Sequence, residues 1–321
     1  MRLLFKQFLA IAQLTALESI RQPICLIMVT FSVTIIGLLP LTVAHSMGEE
    51  GKLIRDSSLS MYLLSGLFLS SYAACLTITR EIRQGTVSAV LTKPVNRVVF
   101  ILAKFAGVTS ITLVYALIGA MAVIISTRTG QETIDVDKWS ALPLLIAPFA
   151  AFILAGLTNY FSGRVFVSDA FIALVGLVTV AFALSGFIDR DGQVQAFGAL
   201  YDWRMVQACT VIGFALILLQ AMAVAISTKL DAVPTLVLSS VILIIGLMSD
   251  YFFGQFAGQN LFANIAYHLT PNWQHFWMVD ALTGGGEIPW IVVGATARYT
   301  FFYMIGVLLI AIAVFRTSEI N

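Results

Sequence analysis

Charged side chains are scarce in this sequence: Lys, Arg, Asp and Glu make up 11% of 321 residues, where a soluble domain carries roughly a quarter. So few charges cannot cover a water-facing surface. The same scarcity excludes a disordered chain, a charged coiled coil and a nucleic-acid-binding tail. Cysteine is rare as well. Cys25, Cys75 and Cys209 lie inside or at the ends of apolar runs, without metal-ligand or redox spacing, and read as small buried hydrophobes. The histidines, His45, His268 and His275, are far apart in sequence and read as surface side chains rather than a metal centre. No Gly-x-x-x-x-Gly-Lys-Ser/Thr run is present, so the chain lacks a phosphate-binding loop and is not by itself an ATPase. No catalytic cluster of Ser, His, Asp or metal ligands falls within the apolar runs. What the chain has in quantity is apolar residues, 59% of the total, with a mean hydropathy of +0.94. It reads as an integral membrane protein.

A hydrocarbon core about 30 Å thick needs roughly 20 apolar helical residues to cross. Eight runs qualify: Pro23–Ala44, Leu59–Thr79, Val98–Ser126, Trp139–Phe161, Val165–Ile188, Met205–Thr228, Ala232–Phe253 and Ile291–Phe315. They are unbroken rather than alternating, which favours an all-α, polytopic transmembrane helix bundle over a barrel. The whole chain, 1–321, reads as a single transmembrane domain. Pro23 suits a first helical position, and Pro143, Pro148 and Pro234 are expected to kink their helices. The fourth and fifth runs carry Asn159, Arg164 and Asp169 around a very short turn. They are either two true spans or a re-entrant insertion that leaves six crossings.

A formal charge of +1 conceals an uneven distribution. With the N-terminus inside, the inner segments collect most of the Lys and Arg, with Arg80, Arg83, Lys93, Arg97 and Lys104 close together. The outer segments collect acids such as Glu49, Glu50, Glu132, Asp135, Asp189 and Asp191. Basic residues favour the cytoplasmic side, so both termini are expected in the cytoplasm, with 255–290 as an external loop. Lys6, Gln13, Glu18 and Arg21 interrupt any apolar core in the first 22 residues, which therefore do not read as a signal peptide. Phe5, Phe8, Leu9, Ala12 and Ala16 recur at helical spacing opposite Lys6 and Arg21. That predicts an amphipathic helix along the cytoplasmic interface.

The stretch from Thr79 to Arg97 is the most informative. The second span runs on through Arg80–Gln84 and meets Gly85, a natural left-handed helix cap. Thr86 to Thr92 allows two helical turns with Val87, Val90 and Leu91 on one face. Lys93-Pro94 ends that piece, because the residue before proline disfavours the helical region. Asn96 can cap the third span, whose Lys104 is expected to snorkel to the interface. A short helix lying across the membrane face, apolar in a basic setting, rests on lipid headgroups or fits a groove on a cytoplasmic partner.

Glu81, Gly85-Thr86, Leu91, Pro94-Val95, Arg97 and Lys104, in that spacing, resemble the signature of exporter-type (type-2) ABC transporter permeases. Residues 1–60, the run Ala225-Ile226-Ser227-Thr228-Lys229, and Pro271-Asn272-Trp273 followed by Phe276 and Asp280 are similar to further parts of that family. Such permeases usually have six spans, so the pair Trp139–Ile188 reads as an insertion. The resemblance implies a membrane-spanning permease that couples ATP hydrolysis by a separate ATPase subunit to substrate export. Glu81, Arg83, Gly85, Thr86, Val90, Leu91, Pro94 and Arg97 then form a coupling helix and its flanks, which dock on that ATPase. Also implied are two ATPase copies, a second permease copy or a related permease, membrane lipid around the bundle, and a bacterial inner membrane. This chain itself is expected to bind no cofactor, no metal and no nucleic acid, with ATP and Mg held on the ATPase.

Two other functions use similar features. An ATPase-coupled membrane anchor would pass mechanical work to external proteins through the same coupling helix. An ion-coupled secondary transporter would need paired ionisable groups near the midplane, which are nearly absent. Three charged residues stand out as candidate intramembrane functional groups. Arg164 and Asp169 flank the internal turn, where they pair, mark a membrane end or belong to an ion pathway. Arg298 lies about two turns inside the last span and either contacts a substrate or partner or snorkels outward beside Tyr299 and Tyr303.

Overall fold

In the computed structural model the described residues are 2–43, 50–83, 97–130, 137–256, 258 and 260–317. Among them the chain forms α1 (Arg2–Ile20), α2 (Pro23–Val43), α3 (Glu50–Arg83), α4 (Arg97–Thr129), α5 (Lys138–Ser162), α6 (Phe166–Phe187), α7 (Arg204–Ser227), α8 (Ala232–Leu247), α9 (Leu261–Leu269) and α10 (Trp290–Thr317). No strand occurs among these residues, so the expected all-α bundle is what forms. Helices α2 to α7 and α10 are the seven long and apolar enough to cross a membrane.

The seventh of the eight expected spans is where the outcome differs. Ala232–Phe253 is not one α-helix: α8 stops at Leu247 after 16 residues, and a π turn follows at Asp250–Gly254. Sixteen residues rise about 24 Å, short of the roughly 30 Å needed. Beyond the turn the chain folds back against α8 and α10. Trp273 is buried against Gly246 and donates its indole N–H to the Ile242 carbonyl at 3.2 Å. The Asn272 amide donates to the Tyr299 hydroxyl at 3.2 Å, and the Tyr303 hydroxyl donates to the Leu269 carbonyl at 2.5 Å. Irregular backbone at membrane depth is tolerated only with such partners, and the tyrosines of α10 supply them.

Residues 139–188 form two full helices rather than a re-entrant piece. Asp137 caps α5 by accepting from the Trp139 and Ser140 amides at 3.1 and 3.3 Å. Gly163, at φ +63°, ends it in the left-handed conformation that glycine adopts without strain. The Asn159 side-chain amide donates to the Arg164 carbonyl across the turn. Pro143 and Pro148 lie within α5, which continues through both, and Pro234 falls in the first turn of α8, where a missing N–H costs little.

The core joins α2, α3, α4 and α7 with the inner faces of α5 and α6 and with the segment around Trp273. Small residues bring backbones together, the usual device where no water drives helices apart from lipid. A Cβ at Gly119 would fall 2.6 Å from the Tyr62 ring, and one at Gly66 would fall 2.6 Å from Leu216. Arg55 of α3 donates to the Leu282 carbonyl at 3.0 Å, and Phe100 of α4 stacks on Phe315 of α10 at 5.8 Å. The end of α10 therefore lies at the same end of the bundle as the start of α4. That end is called the loop end below, because the α3–α4 connection is there, and the opposite one the far end.

Candidate functional site

Of the expected coupling residues, Glu81, Arg83 and Arg97 are described, and all three lie at the loop end. Glu81 and Arg83 belong to the last turn of α3, and Arg97, half-buried, opens α4. Gly85, Thr86, Val90, Leu91 and Pro94 lie outside the described residues, as do the expected Asn96 cap and the short helix at 86–92. What carries them is long. The 34 residues of α3 and the 33 of α4 rise about 50 Å each, well beyond the hydrocarbon core.

Lys104 does not snorkel as expected. It is 1% exposed, with its Nζ 3.9 Å from the Glu18 carboxylate of α1 and 5.8 Å from the Phe100 ring. The reason is the path of α1. Gly107 lets that helix press on α4 so closely that a Cβ there would fall 2.6 Å from the Ala12 carbonyl oxygen. Helix α1 thus has one side on α4, while Leu4, Phe5, Leu9, Leu14 and Leu17 remain exposed on its other sides. An exposed apolar surface of that kind suits contact with lipid.

Between the two ends α3 and α4 are tied by hydrogen bonds. The Ser65 hydroxyl lies 2.7 Å from the Tyr115 hydroxyl and 2.9 Å from Ser32 of α2, and Tyr115 donates to the Tyr62 carbonyl at 2.8 Å. The Tyr62 and Tyr115 rings stack at 5.6 Å. Gln220 of α7 donates to the Phe105 carbonyl at 3.2 Å and to Thr109 at 2.8 Å, and accepts from Thr112. Every polar atom in that set has a partner, which stiffens the contact rather than leaving a free site.

At the far end, Arg128 and Asp137 form an ion pair at 2.8 Å with side chains 0% and 2% exposed. Arg128 also donates to the Ile188 carbonyl at 2.8 Å and lies 5.9 Å from the Tyr201 ring. Burial raises the pKa of the Tyr201 phenol, an effect opposed by its hydrogen bond with Ser185 and by the Arg128 charge. The sequence reading does not single out this pair. The signal was present: an Asp two and three residues before Trp139 and Ser140 is a helix cap, and Arg128 closes an apolar run.

Arg164, Asp169 and Arg298 are not brought together. Arg164 is exposed at the α5–α6 turn, and no ion pair links it to Asp169. Asp169 sits in the first turn of α6, half-buried, where a carboxylate complements the helix dipole. Arg298 is exposed on the outward face of α10, with Ile291, Phe302 and Leu309. Tyr299 and Tyr303 turn to the Leu269–Asn272 backbone.

Two apolar hollows lie among the described residues. One of about 440 Å³ lies between α4 and α7, and one of about 190 Å³ is lined by Ile24, Met28, Phe68, Tyr72, Ala232, Val233 and Leu236. Comparison with known protein families finds one correspondence: residues 21–166 match the family described as ABC-2 family transporter protein. The match supports an ABC-2 type permease. It starts just before α2 and ends at the α5–α6 turn, so it includes α3, α4 and the connection between them. Neither the curated proteins nor the solved structures compared with the chain gave a match. With the seven apolar helices, the match supports a multi-pass membrane protein of the ABC-2 permease type.

Proposed function

We propose that this permease is the membrane-spanning subunit of an exporter driven by a separate ABC ATPase, which docks on residues 80–97. The observation that carries this reading is the length of α3 and α4. Each exceeds the hydrocarbon core by about 20 Å, and the hydrogen-bonded Tyr62, Ser65 and Tyr115 join them in the middle of the bundle. A push on their connection travels as motion of two tied rods rather than being absorbed by a soft loop.

In that arrangement Glu81, Arg83, Gly85, Thr86, Val90, Leu91, Pro94 and Arg97 transmit the movement, and ATP and Mg stay on the ATPase. Two ATPase copies require two such surfaces, hence a second permease copy or a related permease. The loop end faces the cytoplasm of a bacterial cell, where the basic cluster Arg80–Lys104 belongs. Export follows from ATP-driven switching of the cavity between the permease copies. Co-purification with the candidate ATPase tests this. The wild-type chain is expected to bind it and stimulate hydrolysis, while Glu81→Lys and Gly85→Trp weaken both; equal binding and stimulation in all three would defeat the assignment.

A further inference from the structure

Of the seven spanning helices, α10 is the least covered by the rest of the bundle. Its open face is a stripe at three- and four-residue spacing: Ile291, Gly294, Ala295, Arg298, Phe301 and Phe302, all exposed. One member of that stripe is charged. Among the described residues, no hydrogen bond or ion pair involves Arg298.

The depth of Arg298 follows from helical rise. The apolar part of α10, Trp290–Phe315, has 26 residues and rises about 39 Å. That exceeds a hydrocarbon core of about 30 Å by about 9 Å. Shared between the two ends, the excess sets the core boundary about 4.5 Å past Trp290. Arg298 is about 12 Å along the helix and therefore about 7 Å inside. Trp290, exposed at the start of the helix, stands at the headgroup level, where aromatic side chains collect.

The side chain has one polar direction open to it. Helical side chains lean toward the N-terminus of their helix, here toward Trp290. Three and four residues back on that side are Ala295 and Gly294, and nothing lies within 4 Å of where a Cβ on Gly294 would be. The stem can therefore lie along the helix with its head toward water. In the other direction Phe301 and Phe302, 53% and 71% exposed, keep the face apolar.

An unpaired guanidinium at hydrocarbon depth is costly and needs an anion. Its five N–H donors form a planar fork that grips a phosphate through two bonds at once. We infer that Arg298 binds the phosphate of a phospholipid in the far-end leaflet, in the gap over Gly294 and Ala295. A carboxylate on a partner helix would come from the side, across Phe301 and Phe302, whereas the gap at Gly294 leads to the headgroups. This binding needs neither nucleotide nor ATPase, so it stands apart from the transport role.

The test uses the full chain in nanodiscs of a phosphate-free glycolipid, doped with either of two probes. One is phosphatidylglycerol with a diazirine on its headgroup; the other is a glycolipid with the same group on its sugar. Labelled peptides are mapped by mass spectrometry. Leu184 and Phe187, exposed at the far end of α6, serve as the reference. Phosphatidylglycerol is expected to label Ile291–Ala297 saturably and about tenfold more strongly than the glycolipid does, while both label the reference alike. Arg298→Gln is expected to remove the difference. Arg298→Lys, which keeps the charge but not the fork, is expected to retain part of it. Unchanged labelling of the reference shows that each variant is folded. Equal labelling of Ile291–Ala297 by the two probes, or phospholipid labelling unchanged in Arg298→Gln, would overturn the inference. So would protection of that segment from both probes in the wild type, since protein would then cover the face.

Discussion

Arg128 and Asp137 meet at 2.8 Å with almost no exposed surface, joining the end of α4 to the start of α5. Asp137 also caps α5, so one carboxylate holds both an ion pair and a helix start. Removing one partner strands a buried charge, at a cost of about 3–5 kcal/mol. Asp137→Asn is therefore expected to lower thermal stability strongly. Arg128→Met combined with Asp137→Leu is expected to recover much of the loss, since apolar replacement of both partners removes the stranded charge. Unfolding can be followed with a thiol-reactive dye, because the thiols of Cys25, Cys75 and Cys209 are buried. A double variant no more stable than Asp137→Asn would mean that the cap, not the ion pair, matters.

Gly107 sets the seat of α1 on α4. A Cβ there would meet the Ala12 carbonyl oxygen and the Thr15 side chain at 2.6 Å, and one of these contacts is backbone that cannot swing aside. Gly107→Val is expected to lift α1 and uncover Lys104. Trypsin cleavage at the exposed Arg21 should then be faster than in the wild type. An unchanged rate would show that α1 is held by other contacts.

Trp273 and Tyr303 both hold the segment that folds back after α8, by different physics. Trp273 is 1% exposed, and its loss in Trp273→Ala leaves a large cavity costing about 3–5 kcal/mol. Tyr303→Phe removes only the hydrogen bond to the Leu269 carbonyl, worth about 0.6–1.7 kcal/mol between membrane helices. The tryptophan variant should thus be the less stable by a clear margin in the same dye assay. Equal losses would mean that the tyrosine hydroxyl bears more of the fold than burial does.

How much of this was legible in the sequence follows from which interactions are local. The spans α2 to α7 and α10 follow from runs of apolar residues, and Asp137 and Gly163 mark helix ends by their own chemistry. The break after Leu247 was not legible, because Ala232–Phe253 reads as one apolar run with a single charge, Asp250, and its partner Trp273 lies far along the chain. Burial of Lys104 was missed for a similar reason: it depends on Gly107 admitting α1, a contact between distant segments. The hollow between α4 and α7 is lined by Gly213, which in sequence looks like any other glycine of an apolar helix. Spacing pointed to residues 80–97 as the candidate coupling site, and the described residues add the long helices that carry it.

The most direct measurement of the proposed coupling is a crosslinking comparison on the assembled complex. Leu91→Cys places a thiol in the proposed docking loop. Val194→Cys places one at the far end, where Val194 is 87% exposed. With a short thiol-to-amine crosslinker, Leu91→Cys should join the permease to the ATPase subunit, and Val194→Cys should not. An adduct from Val194→Cys, or none from Leu91→Cys in a complex that still co-purifies, would contradict docking of the ATPase on the α3–α4 connection.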